Sequence, residues 1–178
     1  MKKKWIRTIA TISLFIMLTP LFGCEPGDPE TESDSAGTET GPSTVQSNDE
    51  KKLEDLASQL LNSQIFSENM TAASPSAIPA IYGCTGLVRN AVSYAGSMAT
   101  AEEFILFEAE NTEAALQIAE KIEAYHKKQT DDFADYRPSE VPKLAEAVMQ
   151  TDGVYYIYCV SNDGDKAAKI IGDWLKSS

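Results

Sequence analysis

Apolar and polar positions divide the chain into a short apolar run, a polar stretch and a long region of regular periodicity. The apolar run, Ile9 to Phe22, follows the basic start Met1-Lys2-Lys3-Lys4-Trp5-Ile6-Arg7. It is shorter than the ~20 apolar residues needed to span a bilayer. From Glu25 to Ser47 the chain reads EPGDPETESDSAGTETGPSTVQS, with no aromatic residue and a lone valine, Val45. Such a composition buries too little apolar surface to offset the entropy of ordering, and it predicts a solvated tether.

Periodicity then begins. Ser47-Asn48-Asp49-Glu50 has capping-box spacing, and Leu53, Leu56, Leu60 and Ile65 follow on one helical face. Thr71 to Pro79, small and proline-containing, predicts a loop. Leu87 to Ala95 and Phe104 to Ala109 predict strands, and the second is apolar on both faces through Phe104, Ile105, Leu106 and Phe107. Asn111 is placed to cap a long helix whose buried stripe is Ala115, Ile118, Ile122 and Tyr125. Glu113 near its start and Lys127 and Lys128 near its end complement the helix dipole. Beyond Pro138 a helical turn over Glu140 to Ala145 leads into a hairpin. Its arms, Ala147 to Met149 and Val154 to Tyr158, flank Asp152-Gly153, a pair that favours primed turns. A last helix, Asp163 to Lys176, points Ala167, Ile170, Ile171 and Trp174 inward.

This order predicts an α+β fold: an N-terminal helix, then two ββα units. They would form a four-stranded, mostly antiparallel sheet with helices packed on one face. The expected organisation is a lipoprotein signal peptide over 1–23, an acylated cysteine and acidic tether over 24–47, and one domain over 48–178.

The signal-peptide expectation rests on the charged start, the short apolar run and the small residue before the cut. Leu21-Phe22-Gly23-Cys24 resembles the bacterial lipobox, in which the cysteine is diacylated and becomes the new N-terminus. Cys24 is therefore the expected lipidation site, and the extracytoplasmic face of the cell membrane the expected location. Each buried methylene of an acyl chain contributes ~0.8 kcal/mol to such an anchor.

Charge narrows the partners. The chain has 15 basic and 27 acidic side chains. Residues 1–23 hold four of the basic ones (Lys2, Lys3, Lys4 and Arg7) and no acid, so the remainder has 11 against 27, a net charge of −16. That charge repels nucleic acid and anionic headgroups. The membrane contact then falls to the lipid anchor, and the expected partner is a surface protein or a cell-wall component. Two further cysteines, Cys84 and Cys159, remain. They form a candidate disulfide, closing a loop worth roughly 4 kcal/mol in chain entropy, with two buried free thiols as the alternative.

Several strings together resemble a known family. They are Ala57 to Phe66, Ile81-Tyr82-Gly83, and Ala99-Thr100-Ala101-Glu102-Glu103-Phe104. Gln129 with Phe133, Tyr136-Arg137-Pro138, Leu144 with Ala147-Val148, and Gly153 to Asp163 continue the likeness. The chain resembles, over about residues 50–176, small bacterial lipoproteins grouped as domain-of-unknown-function family 4358. The resemblance implies a cell-surface lipoprotein and carries over no ligand or catalytic residue.

Candidate chemistry is sparse. His126, the single histidine, lies beside the helix stripe, where a boundary role is expected. No Gly-x-Ser-x-Gly elbow accompanies it. Glu102-Glu103, or Asp131, Asp132 and Asp135, could supply the paired carboxylates of a glycan hydrolase, though capping and solvation explain them as well. Asn162-Asp163-Gly164-Asp165 lacks the rest of an EF-hand and reads as a turn and helix cap. No metal or cofactor motif is recognised. Tyr156 and Tyr158 share a strand face and form a candidate partner surface, with cross-strand packing as the alternative. The expectation is a membrane-anchored binding or accessory module; a small cell-wall-directed hydrolase using acidic residues and a small-ligand sensor are the alternatives.

Overall fold

In the computed structural model the described residues are 48–177, with side chains from Leu53 onward. The signal segment, Cys24, the tether and Ser47 lie outside them, as does the side chain of Glu50, so the expected cap falls outside what is described. The first helix, α1 (Asn48–Asn62), leads to a two-residue strand β1 (Thr71–Ala72) and a one-turn helix α2 (Ile78–Ile81). Strands β2 (Val88–Ala95) and β3 (Glu103–Ala109) precede the long helix α3 (Thr112–Tyr136). A 3-10 turn (Pro138–Glu140) and a short helix α4 (Val141–Ala145) then lead to β4 (Val148–Asp152), β5 (Tyr155–Val160) and α5 (Gly164–Ser177).

The strands form one antiparallel sheet in the order β1-β2-β3-β5-β4. The sheet has five strands rather than the expected four. The extra one, β1, pairs Thr71 with Ala95 and Ala72 with Tyr94. Two exposed residues offer no alternation from which a strand can be read.

The helices cover both faces of the sheet, which corrects the one-face expectation. On one face Ile105, Phe107, Tyr156 and Tyr158 pack against Ile118 and Ile122 of α3, with Ile78 of α2 and Leu144 of α4. On the other, Phe104, Leu106, Ile157 and Cys159 pack against Leu53, Leu56 and Leu60 of α1 and Ala167, Ile171 and Trp174 of α5. The cause is in β3 itself, all seven of whose residues are buried. Apolar side chains alternate between faces, so a strand apolar on both needs a layer on each.

Local chemistry fixes the ends of these elements. The Asn111 side chain accepts a hydrogen bond from the Ala114 amide at 2.9 Å, the expected cap of α3. That helix runs on to Tyr136, ending where Arg137 leaves helical geometry, at φ −148° and ψ 70°, before Pro138. Lys127 and Lys128 are therefore inside the helix, not near its end, and they pair with Asp131 and Asp132 at i+4. The β4–β5 hairpin turns at Gly153-Val154, between paired Asp152 and Tyr155. Gly153 takes a φ of +58°, which glycine adopts without steric cost. Asp163 accepts from the Lys166 amide at 2.9 Å, so the acidic turn does cap the last helix.

Leu106 is fully buried at the centre of the α1/α5 layer. Leu106→Ala is expected to cost about 2–5 kcal/mol, the range for truncating a packed leucine. Urea denaturation of the two proteins measures it.

Candidate functional site

Alternation along β3 places Glu103 on the same face as Ile105 and Phe107, at the end of the strand. There the α3 layer does not close completely, and a cleft of about 270 Å³ remains. Tyr82, Glu103, Tyr125 and Gln129 line its inner part. Met98, Phe133 and Tyr136 line it further along the 96–101 loop and the last turns of α3.

Glu103 is 5% exposed. The Tyr125 hydroxyl donates to its Oε2 at 3.0 Å, and Gln129 Nε2 donates in turn to the Tyr125 oxygen. Tyr82 stands edge-on to Tyr125, with ring centroids 5.1 Å apart and planes at 90°. Its hydroxyl lies 3.3 Å from Ser93 Oγ. Burial pushes the Glu103 carboxyl up to about 7, against the opposing effect of its hydrogen bonds. Burial also raises Tyr125, and raises Tyr82 to about 12, with the nearby Glu103 charge adding to both. Among the described residues no lysine, arginine or histidine forms an ion pair with Glu103.

Glu102, its neighbour, is used differently. It is 1% exposed and accepts hydrogen bonds from Ser67 N at 2.8 Å and Ser67 Oγ at 2.6 Å. Lys143 Nζ of α4 lies 2.9 Å from Glu102 and 2.9 Å from Glu140. Burial works against the Lys143 charge, but these two carboxylates hold its pKa above the ordinary value. Glu140 also accepts from the Thr100 hydroxyl and the Ala101 amide. This network ties the segment after α1, the 96–101 loop and α4 to the start of β3.

The residues singled out by sequence fall into three groups. Glu103 reaches the cleft, but the expected carboxylate pair is not formed, because Glu102 is committed to Ser67 and Lys143. Asp131 and Asp132 are occupied by lysines along an exposed face of α3, and Asp135 is exposed. Tyr156 and Tyr158 share a face as expected, yet that face lies under α3 and they are 2% and 0% exposed. They form core, not a partner surface. Tyr158 meets His126, whose Nδ1 lies 3.1 Å from the phenol oxygen; burial lowers the His126 pKa. Cys84 and Cys159 are free thiols buried in the cores on opposite sides of the sheet, so the candidate disulfide is not formed.

Tyr82, Gln129 and Tyr136 enter the sequence reading only through the family likeness, with no functional role, and Met98 does not enter it. A usable signal existed in Glu103 itself, an acid in phase with core residues Ile105 and Phe107. Among the described residues no group of three or more His, Cys, Asp or Glu side chains gathers to hold a metal ion. None of their helices is long and apolar enough to cross a membrane.

Fold and site together define a small α+β module, a five-stranded sheet between two helical layers with an aromatic cleft around one buried carboxyl. The family model described as Domain of unknown function (DUF4358) matches residues 64–161, and the chain belongs to that family. The matched span contains all five strands and every residue of the cleft. No curated protein and no solved structure matches the chain.

Two outcomes follow from the carboxylates. The raised Glu103 pKa makes the folded state bind a proton that the unfolded state releases near 4.5, so this stabilisation is lost as pH rises toward 7 and above. Glu103→Gln is expected to remove that loss, gaining on the order of 3 kcal/mol over the native chain at alkaline pH and little at acidic pH. Urea titrations of both proteins across that range test it. Lys143→Met leaves Glu102 buried without its cation and is expected to cost about 3 kcal/mol or more, measured by thermal unfolding at neutral pH.

Proposed function

We propose that this chain is a lipid-anchored binding module on the extracytoplasmic face of the membrane, and that its cleft takes a small ligand. Cys24 would carry the anchor and the acidic segment after it the reach, leaving the α+β domain to recognise. The observation that carries the binding half of this reading is the cleft around Glu103. It combines aromatic walls, a convergent polar floor and a functional group with a shifted pKa, the usual marks of a ligand site.

Its volume of about 270 Å³ is near the lower end of the ~300–1,000 Å³ of small-molecule pockets. Met98, 93% exposed beside it, supplies an adaptable apolar contact. The competing reading as a wall hydrolase is weakened by the arrangement of acids. Two-carboxylate hydrolysis needs a second carboxyl ~5–9.5 Å away, across the scissile bond. The cleft's other acid, Glu102, is already held by Lys143.

A fragment library screened by NMR, with the methionine methyls labelled, tests the ligand reading. Binders are expected to move the Met98 methyl signal, and Tyr136→Ala to weaken them about tenfold or less, as loss of a rim contact does. A library whose binders all leave Met98 unmoved would remove the reading. The anchor is tested separately: metabolic labelling with a fatty acid is expected to mark the native protein and not Cys24→Ala.

A further inference from the structure

The inner part of the cleft has an unusual electrical arrangement. A carboxyl group is buried there with hydrogen-bond donors around it and no positive charge. The titratable side chains that face Glu103 are phenols from three elements: Tyr82 after α2, Tyr125 on α3 and Tyr158 on β5. All three have raised pKa values and are neutral at pH 7. His126 reaches Tyr158 and burial favours its neutral form. The nearest basic side chain of the network, Lys143, is held by Glu102 and Glu140. Gln129 is directed to the Tyr125 oxygen.

Buried carboxylates in folded proteins are normally paired with a cation or a full set of donors. At Glu108, farther along the same strand, this is so: Arg89 Nη1 lies 3.0 Å away and Asn90 Nδ2 donates at 3.0 Å. Glu102 has Lys143 and Ser67. Glu102 and Glu103 both border the cavity, and of these three acids Glu103 alone has no ion-pair partner among the described residues. The walls beside it are the electron-rich rings of Tyr82 and Tyr125, which also attract positive charge. Outside them stand apolar Met98 and the ring of Tyr136.

We propose that the cleft's ligand is a small organic cation, a protonated amine on an apolar body. The amine would sit on the Glu103 carboxylate beside the Tyr82 and Tyr125 rings, with the body against Met98 and Tyr136. This rests on the cleft being a ligand site and goes further in naming the chemical class. An anion is repelled by Glu103 once it ionises, and a neutral alcohol gains one hydrogen bond without the charge. The amine gains a charge-assisted hydrogen bond in a desolvated place, where it is strongest. Binding also draws the carboxyl into its ionised form, so a proton leaves the protein as the cation enters.

Three probes of the same shape test it: benzylamine, benzyl alcohol and phenylacetate, titrated by NMR into the native full chain at neutral pH. Benzylamine is expected to bind about tenfold or more tighter than the alcohol, with phenylacetate weakest. In Glu103→Gln, which keeps the shape and an acceptor for Tyr125, the preference for amine over alcohol is expected to vanish. Native affinity for benzylamine is expected to rise from about pH 6 to about pH 8 as the carboxyl ionises, and the variant's to stay flat. Tyr136→Ala is expected to weaken amine and alcohol alike. Equal binding of amine and alcohol, or an amine preference that survives in Glu103→Gln, overturns the cation assignment and leaves the ligand cleft standing. If none of the three binds, the cation assignment also fails, and the fragment screen then decides the cleft on its own.

Discussion

The structure depends on a single constraint, the complete burial of β3. Its residues Glu103 to Ala109 are buried on both faces, and both edges are hydrogen-bonded, to β2 on one side and β5 on the other. Of its positions Glu103 alone borders the cleft. Phe104 and Leu106 require α1 and α5 above them, and Ile105 and Phe107 require α3 below. The order of the sheet follows, because β5 must lie beside β3 for Tyr156, Ile157 and Tyr158 to complete the two cores. Both helical layers can thus be traced to one seven-residue stretch.

Placing charge on such a strand requires a solution for each acid. Glu108 is solved by Arg89 and Asn90, which reach it from β2 next to a register shift between Val88 and Asn90. Glu102, just before the strand, is solved by Lys143 and by both donors of Ser67. These partners also do structural work, since they join segments far apart in the chain. Glu103 has a phenol instead, and burial shifts its pKa to about 7. A neutral acid is the cheapest state for a carboxyl in that position. The cleft is where the strand's burial rule is kept by protonation rather than by a counterion.

Much of this could be read from sequence, for identifiable reasons. The elements were legible because their periodicity is strong: the stripes of α3 and α5 and the apolar block of β3 appear where expected, while Ile65 falls beyond the end of α1 and the hairpin turns one residue later, at Gly153-Val154. The layer arrangement was also encoded, since Phe104 to Phe107 are apolar on both faces, yet two ββα units alone suggest a one-sided sheet. The fate of Tyr156 and Tyr158 follows from that choice; with α3 over their face, they become core. β1 was illegible because a two-residue strand has no period, and its pairing is set by β2. The free thiols depended on which face each cysteine occupies. Cys84 precedes β2 in a loop, so strand alternation does not assign it a side. The cleft was least legible, because it is assembled from the turn after α2, the end of β2, β3, α3 and the 96–101 loop.

The choice between structural and functional accounts of Glu103 turns on energy. A hydrophobic residue at this position would avoid the burial cost and continue the pattern of Ile105 and Phe107. In its place stands an acid whose ionisation opposes folding by an amount on the order of 3 kcal/mol at alkaline pH, large beside the marginal 5–15 kcal/mol of a typical domain. The neighbouring acids repay their burial by tethering loops and strands. Glu103 accepts from Tyr125, with Gln129 and Tyr82 also placed to donate, so it links β3 chiefly to a layer already held by Ile118 and Ile122. A cost of that kind, carried in the inner part of a cavity and absent from its neighbours, is what supports the proposal that Glu103 awaits something that enters from outside. A positive charge arriving in the cleft would turn the most costly residue of the strand into one as well satisfied as Glu102 and Glu108.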